Sequence, residues 1–168
     1  MILTDANLLL NAYNRDFPAH LPARRWWESV LNDRESIGLS WITILGFIRV
    51  MTNPKAMPNP MTLEAAVSAV ESWLSQPNVE IVEPGPRHRE ILFRLLREAG
   101  AAGNLSSDAH LAAIALEQQA RLASADTDFA RFSGLRWFNP LVKKTSRNSA
   151  SGRTTGIVPA PRKGRKKH

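Results

Sequence analysis

Short apolar runs alternate with amphipathic stretches over the first 140 residues of this chain. Short runs rich in Val, Ile and Leu are typical of buried strands, whereas apolar residues spaced three and four apart indicate helices. We expect strands at 2–3, 37–39, 79–82, 121–124 and 135–138. We expect helices at 7–13, 22–31, 41–51, 63–74, 87–99 and 106–119, with a short helical turn at 126–132. This alternation predicts an α/β fold in which a mostly parallel central sheet is flanked by helices on both faces.

Charge and composition change abruptly near residue 142. The chain has a net charge of +7, but residues 143–168 carry nine Lys and Arg and no acid, so residues 1–142 carry a net charge of −2. The last segment consists mainly of Ser, Thr, Gly, Pro, Lys and Arg, which bury too little apolar surface to offset the entropy of ordering. We therefore expect one domain over residues 1–141 and a disordered basic tail over 142–168.

Several classes of protein are excluded by composition. The chain has no cysteine, which rules out disulfides, zinc ribbons and thiol nucleophiles. Its longest apolar runs are far shorter than the roughly 18–20 residues of a membrane span. The N-terminal sequence MILTDANLLL has an acid and no basic residue, unlike a signal peptide. We expect a cytoplasmic protein that does not contact membranes.

Four acidic residues follow predicted strands or begin a late helix. Asp5 follows the first strand, Asp126 and Asp128 follow the strand that ends at Ser124, and Asp108 lies near the start of a helix. Loops at the carboxyl ends of parallel strands meet in one crevice. Converging carboxylates without histidine or cysteine suit Mg²⁺ or Mn²⁺ better than zinc.

Each acid except Asp5 also has a purely structural interpretation. Asp108 could complement a helix dipole, Asp126 could cap the short helix that follows it, and Asp128 could be an acid of its first turn. Asp5 is harder to explain structurally, because a turn after an apolar strand more often carries a small residue. Spacing alone leaves both interpretations open.

Three motifs, in order and at the expected spacing, resemble those of the PIN-domain family: TDAN at 4–7, SSDAHLAA at 106–113 and SADTDF at 124–129. The sequences RVMTNP at 49–54 and GLRWFNPL at 134–141 are similar to one subgroup of its toxin branch, the VapC ribonucleases of type II toxin–antitoxin pairs. The resemblance covers residues 1 to about 141, and it implies a PIN-like fold.

The resemblance also implies a function, namely endonucleolytic cleavage of RNA that depends on Mg²⁺ or Mn²⁺. The metal ligands and catalytic residues would then be Asp5, Asp108 and Asp126. Polar residues behind the ligands or facing phosphate would be Asn7, Asn104, Ser124 and Asp128. Arg49 would lie near the mouth of the site and contact the substrate. The implied partners are a VapB-like antitoxin and a second copy of the chain, with apolar surface on the helices around Trp26–Val30 and Trp41–Val50 available for these contacts.

One departure from the family pattern concerns Gly46. The family usually has a glutamate in the helix after the second strand, whereas this chain has glycine there. The alternative function is therefore a catalytically weakened PIN-like module that binds RNA or protein.

The remaining aromatic and basic residues are interpreted as structural. The five tryptophans are expected in the core or in an oligomer interface rather than as platforms for nucleic-acid bases, on the expectation that none lies in a basic environment. The four histidines show no spacing typical of a metal site or of a dyad, and His110 is expected to be structural or on the surface. The arginines of the helix at 87–99 are expected to form a solvated face.

Overall fold

The central sheet has five strands, and every pairing in it is parallel. In this computed structural model the described residues are 1–100, 103 and 105–142. The strands are β1 (Ile2–Thr4), β2 (Ile37–Leu39), β3 (Val79–Ile81), β4 (Arg121–Ala123) and β5 (Trp137–Phe138). Their spatial order is β3-β2-β1-β4-β5, so β1 is central and the order of the strands reverses between β1 and β4. The predicted α/β class and parallel sheet are confirmed.

In the described segments, six α-helices cover the two faces of the sheet. They are α1 (Ala6–Tyr13), α2 (His20–Leu31), α3 (Trp41–Met51), α4 (Leu63–Leu74), α5 (His88–Ala99) and α6 (Leu105–Glu117), with a 3₁₀ helix at Thr127–Arg131. The buried residues of α1 to α4 form one apolar cluster with one face of the sheet. Those of α5, α6 and the 3₁₀ helix form a second cluster on the other face. Helices on both faces are what right-handed parallel crossovers produce.

An aromatic cluster stabilises the larger of the two cores. Trp73 is 1% exposed and packs edge-on against Phe47, Tyr13 and Trp27, at ring-centroid distances of 4.7, 5.3 and 5.6 Å. Its indole N–H donates to the Tyr13 hydroxyl at 2.7 Å, so the polar atom of the buried ring has a partner. Such edge-to-face pairs contribute about 0.5–1.5 kcal/mol each beyond their buried area.

Two element boundaries differ from the sequence-based expectation for identifiable reasons. Helix α2 begins at His20 rather than Pro22. Proline is accepted there because the first turn of a helix has no intrahelical acceptor for its N–H groups. The last strand is two residues long rather than four, because Gly134 has a φ of 78° and the Leu135 N–H donates to the Phe132 carbonyl, which keeps this segment in a turn.

Three further expectations can be compared with the structure. The proposed basic tail lies outside the described residues, apart from Val142, and so does Asn104. Helix α2 directs Trp27 and Val30 into the core, so the expected apolar surface at Trp26–Val30 is largely buried. None of the helices in the described segments has the length and apolar character of a membrane span.

Candidate active site

The carboxyl ends of β1 and β4 form the crevice in which the candidate site lies. In open parallel sheets, ligands bind where the strand order reverses, outside the carboxyl ends of the strands. Asp5 follows β1 and Ser124 follows β4, and the Asp5 backbone N–H donates to the Ala123 carbonyl at 3.0 Å. The topology therefore brings together two segments that are more than 100 residues apart in the sequence.

Ser124 connects the two segments through its side chain. Its buried hydroxyl donates to Asp5 Oδ2 at 2.7 Å and accepts hydrogen bonds from Asn7 Nδ2 at 2.9 Å and from the Asp126 backbone N–H at 3.0 Å. A hydroxyl has one proton to donate and two lone pairs, so all of its capacity is used. Asn7 Oδ1 in turn accepts from the Ala125 N–H at 3.2 Å. The Asp5 carboxylate is thus held in one orientation.

Asp5 occupies the N-cap position of α1 without serving as its cap. Within the described chain its side chain makes no capping hydrogen bond, in contrast to Ser40 and Thr62, whose oxygens accept from the third residue of α3 and α4. Burial raises the pKa of Asp5 above its ordinary value, and the hydrogen bond from Ser124, followed by the attraction of the Ala6 and Asn7 backbone N–H groups, opposes that rise. The main partner of the Asp5 carboxylate is therefore Ser124 rather than the N-terminus of α1.

Asp108 faces the same crevice from the first turn of α6. Burial, followed by the negative charges of Asp5, Asp126 and Asp128, raises its pKa from 3.8 to about 6. Among the described residues, no basic group forms an ion pair with it. The favourable field of the helix N-terminus is therefore outweighed by desolvation and by repulsion between carboxylates.

Asp5 and Asp108 line one small cavity of about 140 Å³. Gly46 and Arg49 of α3 form part of the opposite wall, and Arg49 is an exposed cation. The cavity is smaller than the roughly 300–1,000 Å³ of sites for drug-sized ligands, so its size suits an ion with its water and a phosphate group. It opens into a wider trough along α3 that Gly46, Arg49 and Ser107 also line.

Asp126 and Asp128 lie at the edge of this site. Asp126 is exposed and its Oδ1 accepts from the Asp128 N–H at 2.9 Å, so it caps the 3₁₀ helix, as the structural interpretation expected. Asp128 forms an ion pair with Arg131 at 3.1 Å. Both still contribute negative charge that raises the pKa of Asp108, and Asp126 does the same for Asp5.

The donor set fits a hard divalent cation. Asp5 and Asp108 supply carboxylate oxygens with raised pKa values and no cation paired with them in the described chain. No group of three His, Cys, Asp or Glu side chains among these residues is arranged to hold a metal together. Mg²⁺ typically uses one or two carboxylates and completes its shell with water and phosphate oxygens, so the pair is sufficient.

The site also contains residues that the sequence interpretation did not assign. Thr43 and Ser107 line the cavity, and Thr43 Oγ1 donates to the Thr4 carbonyl at 3.0 Å, which ties α3 to the end of β1. Ser107 directly precedes Asp108, so its place in the SSD motif was the available signal.

The structure pairs two histidines whose separation in the sequence gives no sign of a contact. His88 Nε2 lies 2.9 Å from His110 Nδ1, and the rings pack edge-on at 4.6 Å. Burial lowers the pKa of both imidazoles. The pair joins α5 to α6 across 22 positions of sequence, a distance at which no local spacing rule applies.

Comparison with known families assigns the class of this chain. The sequence profile described as "PIN domain" matches residues 2–135. The chain belongs to the PIN-domain family. Solved structures with the same fold include FitAB bound to a DNA fragment (TM-score 0.61, 19% identity, 84% of this chain and 96% of that one) and VapBC2 of Rickettsia felis bound to promoter DNA (TM-score 0.60, 21% identity, 83% and 98%).

Curated relatives narrow the assignment. Ribonuclease VapC33 of Mycobacterium tuberculosis is 43% identical over 141 residues, which cover 84% of this chain and 99% of that protein. Ribonuclease VapC37 of the same organism is 41% identical over 140 residues, covering 83% and 97%. Within the PIN-domain family, the chain therefore belongs with the VapC ribonucleases.

Proposed function

We propose that this chain is the toxin of a type II toxin–antitoxin pair and that it hydrolyses phosphodiester bonds in RNA with the help of a divalent cation, Mg²⁺ or Mn²⁺. The observation that carries this proposal is the pair of desolvated carboxylates, Asp5 and Asp108, that line one small cavity without a counter-ion among the described residues. The relatives named ribonucleases support the same reaction.

Asp5 and Asp108 would hold the cation. When bound, such a cation stabilises charge on the attacked phosphate and lowers the pKa of the attacking water. Ser124 and Asn7 fix the orientation of Asp5 through the hydrogen bonds described above. Asp126, which we predicted as a third ligand, adds negative charge at the rim of the site.

Arg49 is the basic residue that lines both the acidic cavity and the trough beside it. A guanidinium group at this position can form two parallel hydrogen bonds with a phosphate of the RNA. We therefore assign it to substrate binding, next to the scissile phosphate.

A second candidate function follows from Gly46. A Cβ at this position would lie 3.3 Å from the Cβ of Ala6, so α1 and α3 approach each other closely where the family usually has a glutamate. The close approach favours glycine for packing and removes one carboxylate from the cavity. A chain that binds RNA or protein but turns over slowly is the alternative, and metal titration separates the two.

The partner we propose is a small VapB-like antitoxin. Structures with the same fold include the VapBC complexes of Rickettsia felis and of nontypeable Haemophilus influenzae. Helix α3 leaves Trp41 and Leu45 48% and 60% exposed, and this apolar surface is available to the antitoxin or to a second copy of the chain. We expect a homodimer that acts in the cytoplasm.

The decisive test is incubation of total RNA with the purified protein, with and without Mg²⁺, followed by mapping of the product ends. We expect discrete cleavage with Mg²⁺ or Mn²⁺ and none with EDTA or with the Asp5→Asn/Asp108→Asn variant. Expression of the chain alone should arrest growth, and the neighbouring open reading frame should restore it. Harmless expression of folded wild-type protein would favour the weakened module.

A further inference from the structure

A second surface with the chemistry for nucleic acid lies along the open edge of the sheet. A groove of about 540 Å³ runs beside β5 and is lined by Trp26, Arg121, Arg136, Trp137, Phe138 and the segment that ends at Val142. We refer to it as the edge groove. The expectation that no tryptophan lies in a basic environment is therefore wrong. Arg136 directly precedes Trp137 in the sequence, and the fold adds Trp26 and Arg121 to the same groove.

The two arginines are held in place in different ways. The Arg121 guanidinium lies 5.1 Å above the Phe138 ring and forms a 2.7 Å ion pair with Glu35. The Arg136 side chain donates to the Gln119 carbonyl. Arg136 has no ion pair with any carboxylate in the described part of the chain, so its positive charge is not neutralised locally.

Hydrogen bonds through Ser124 and Ala125 link residues of the edge groove to residues of the acidic site. The Asn139 amide donates to the Ala125 carbonyl at 3.4 Å, and the Trp137 indole N–H donates to the Ser124 carbonyl at 3.1 Å. Ser124 and Ala125 also hold Asp5 and Asn7 on the other side. A nucleic-acid strand that lies across the carboxyl ends of β4 and β5 can therefore reach both the edge groove and the acidic cavity.

The sequence continues beyond the groove with a strongly basic segment. Residues 143–168 follow Val142 directly, and they carry nine Lys and Arg and no acid. The rest of the chain has a net charge of −2, so residues 143–168 carry the positive charge that would attract a polyanion most strongly.

We propose that the edge groove binds a single-stranded segment of the substrate RNA next to the cleavage site, with bases stacked on its aromatic rings and phosphates near Arg136. This inference rests on the proposed ribonuclease function and locates part of its substrate site. Aromatic rings beside cationic side chains are the general solution for binding single strands. An added protein strand fits less well, because β5 pairs over only two residues and offers a short edge.

The test measures binding of a fluorescent oligouridine of about twelve nucleotides, within the range of known single-strand sites. Full-length protein is used in EDTA, so that binding is measured without cleavage. We expect Arg136→Glu to weaken binding about three- to tenfold and to reduce the slope of log affinity against log salt by at least about 0.7. Trp26→Ala should weaken it roughly fivefold or more, because one base then has no ring on which to stack.

The matched control is Arg89→Glu, an identical charge change at an exposed position of α5. It should leave affinity within about twofold of wild type, since one like charge far from a site acts only through a screened field. Equal decreases in affinity for Arg89→Glu and Arg136→Glu would show diffuse attraction and overturn the proposal, as would unchanged affinity for Arg136→Glu.

A second measurement does not depend on the folding of any variant. Wild-type protein is crosslinked to RNA that contains 4-thiouridine, and the modified peptides are identified by mass spectrometry. Crosslinks within 136–142 or at Trp26 support the proposal, and crosslinks confined to 143–168 refute it. Both measurements are made without metal, so their outcome does not depend on cleavage. A chain that cuts no RNA can still bind it in the edge groove, and a chain that cuts RNA can still lack binding there.

Discussion

Replacing Asp108 with asparagine should stabilise the metal-free protein at neutral pH. Burial and three neighbouring carboxylates raise the Asp108 pKa from 3.8 to about 6 in the folded state. A raised acid pKa means that the folded state binds more protons than the unfolded state between these values, so stability falls as pH rises through this window. The cost of the charge is absent below about pH 4 and fully present above about pH 6.

The size of the effect follows from the shift. A shift of roughly two pKa units corresponds to about 3 kcal/mol at most. Because Asp108 is only partly buried, solvent screening reduces this free-energy cost, and we expect the variant to gain about 1–2 kcal/mol in the free energy of unfolding. For a domain of this size, that is a rise in Tm of roughly 2–8 °C.

Thermal unfolding of wild type and Asp108→Asn in EDTA, at about pH 7.5 and about pH 4.5, measures this difference. The gain should be largest at the higher pH and roughly a third as large at the lower one, because about pH 4.5 lies between the two pKa values. Asp33→Asn, at an exposed loop position, is the matched control and should show no such gain. No gain at the higher pH, or an equal gain at both pH values, would contradict the assignment of Asp108 to a desolvated acidic site.

Three other changes test the site and the tail. Mn²⁺ or Mg²⁺ should raise the Tm of wild type, because a cation that binds only the folded state stabilises it. The Asp5→Asn/Asp108→Asn variant should lose that response. A double variant that responds like wild type would place the metal elsewhere. Ser124→Ala should lower the free energy of unfolding by about 1–3 kcal/mol, since it leaves Asn7 Nδ2 and the Asp126 N–H without their acceptor. In the same denaturation experiment, the control Ser72→Ala at an exposed position should change it little. A chain ending at residue 142 should bind RNA more weakly, and its slope of log affinity against log salt should be lower by about 0.7 for each RNA phosphate that the tail neutralises. Its KM for RNA should rise while kcat stays unchanged. Equal affinity and slope for the truncated and full-length chains would assign the tail no role.

Local patterns predicted the fold and the positions of the acids well. Each strand and helix could be predicted from spacing, and the parallel sheet then required Asp5 and Asp126 to lie at the same end. The sequence could not separate their roles, because both follow an apolar strand. Their roles differ in the folded protein. Asp126 makes a local contact and caps the helix after it, whereas Asp5 is held by Ser124, which is 119 positions away in the sequence.

Contacts between distant segments could not be predicted from the sequence in the same way. The pair His88 and His110 depends on how α5 packs against α6, and the edge groove depends on β5 placing Trp137 near Arg121. Neither follows from periodicity, which describes one element at a time. Arg136 directly precedes Trp137 in the sequence, but the meeting of Trp26 and Arg121 with these two residues depends on the fold.

The bond between Ser124 and Asp5 joins residues separated by 119 positions, and it has a consequence for synthesis of the protein. The ribosome must complete α6 and β4 before Asp108 and Ser124 can meet Asp5. A nascent or prematurely terminated chain that lacks these elements has Asp5, but it has neither Asp108 nor the Ser124 hydroxyl that orients Asp5. Under the proposed function, RNA cleavage can therefore begin only after residue 124 has been synthesised, which leaves a cell time in which a newly made antitoxin can already be present.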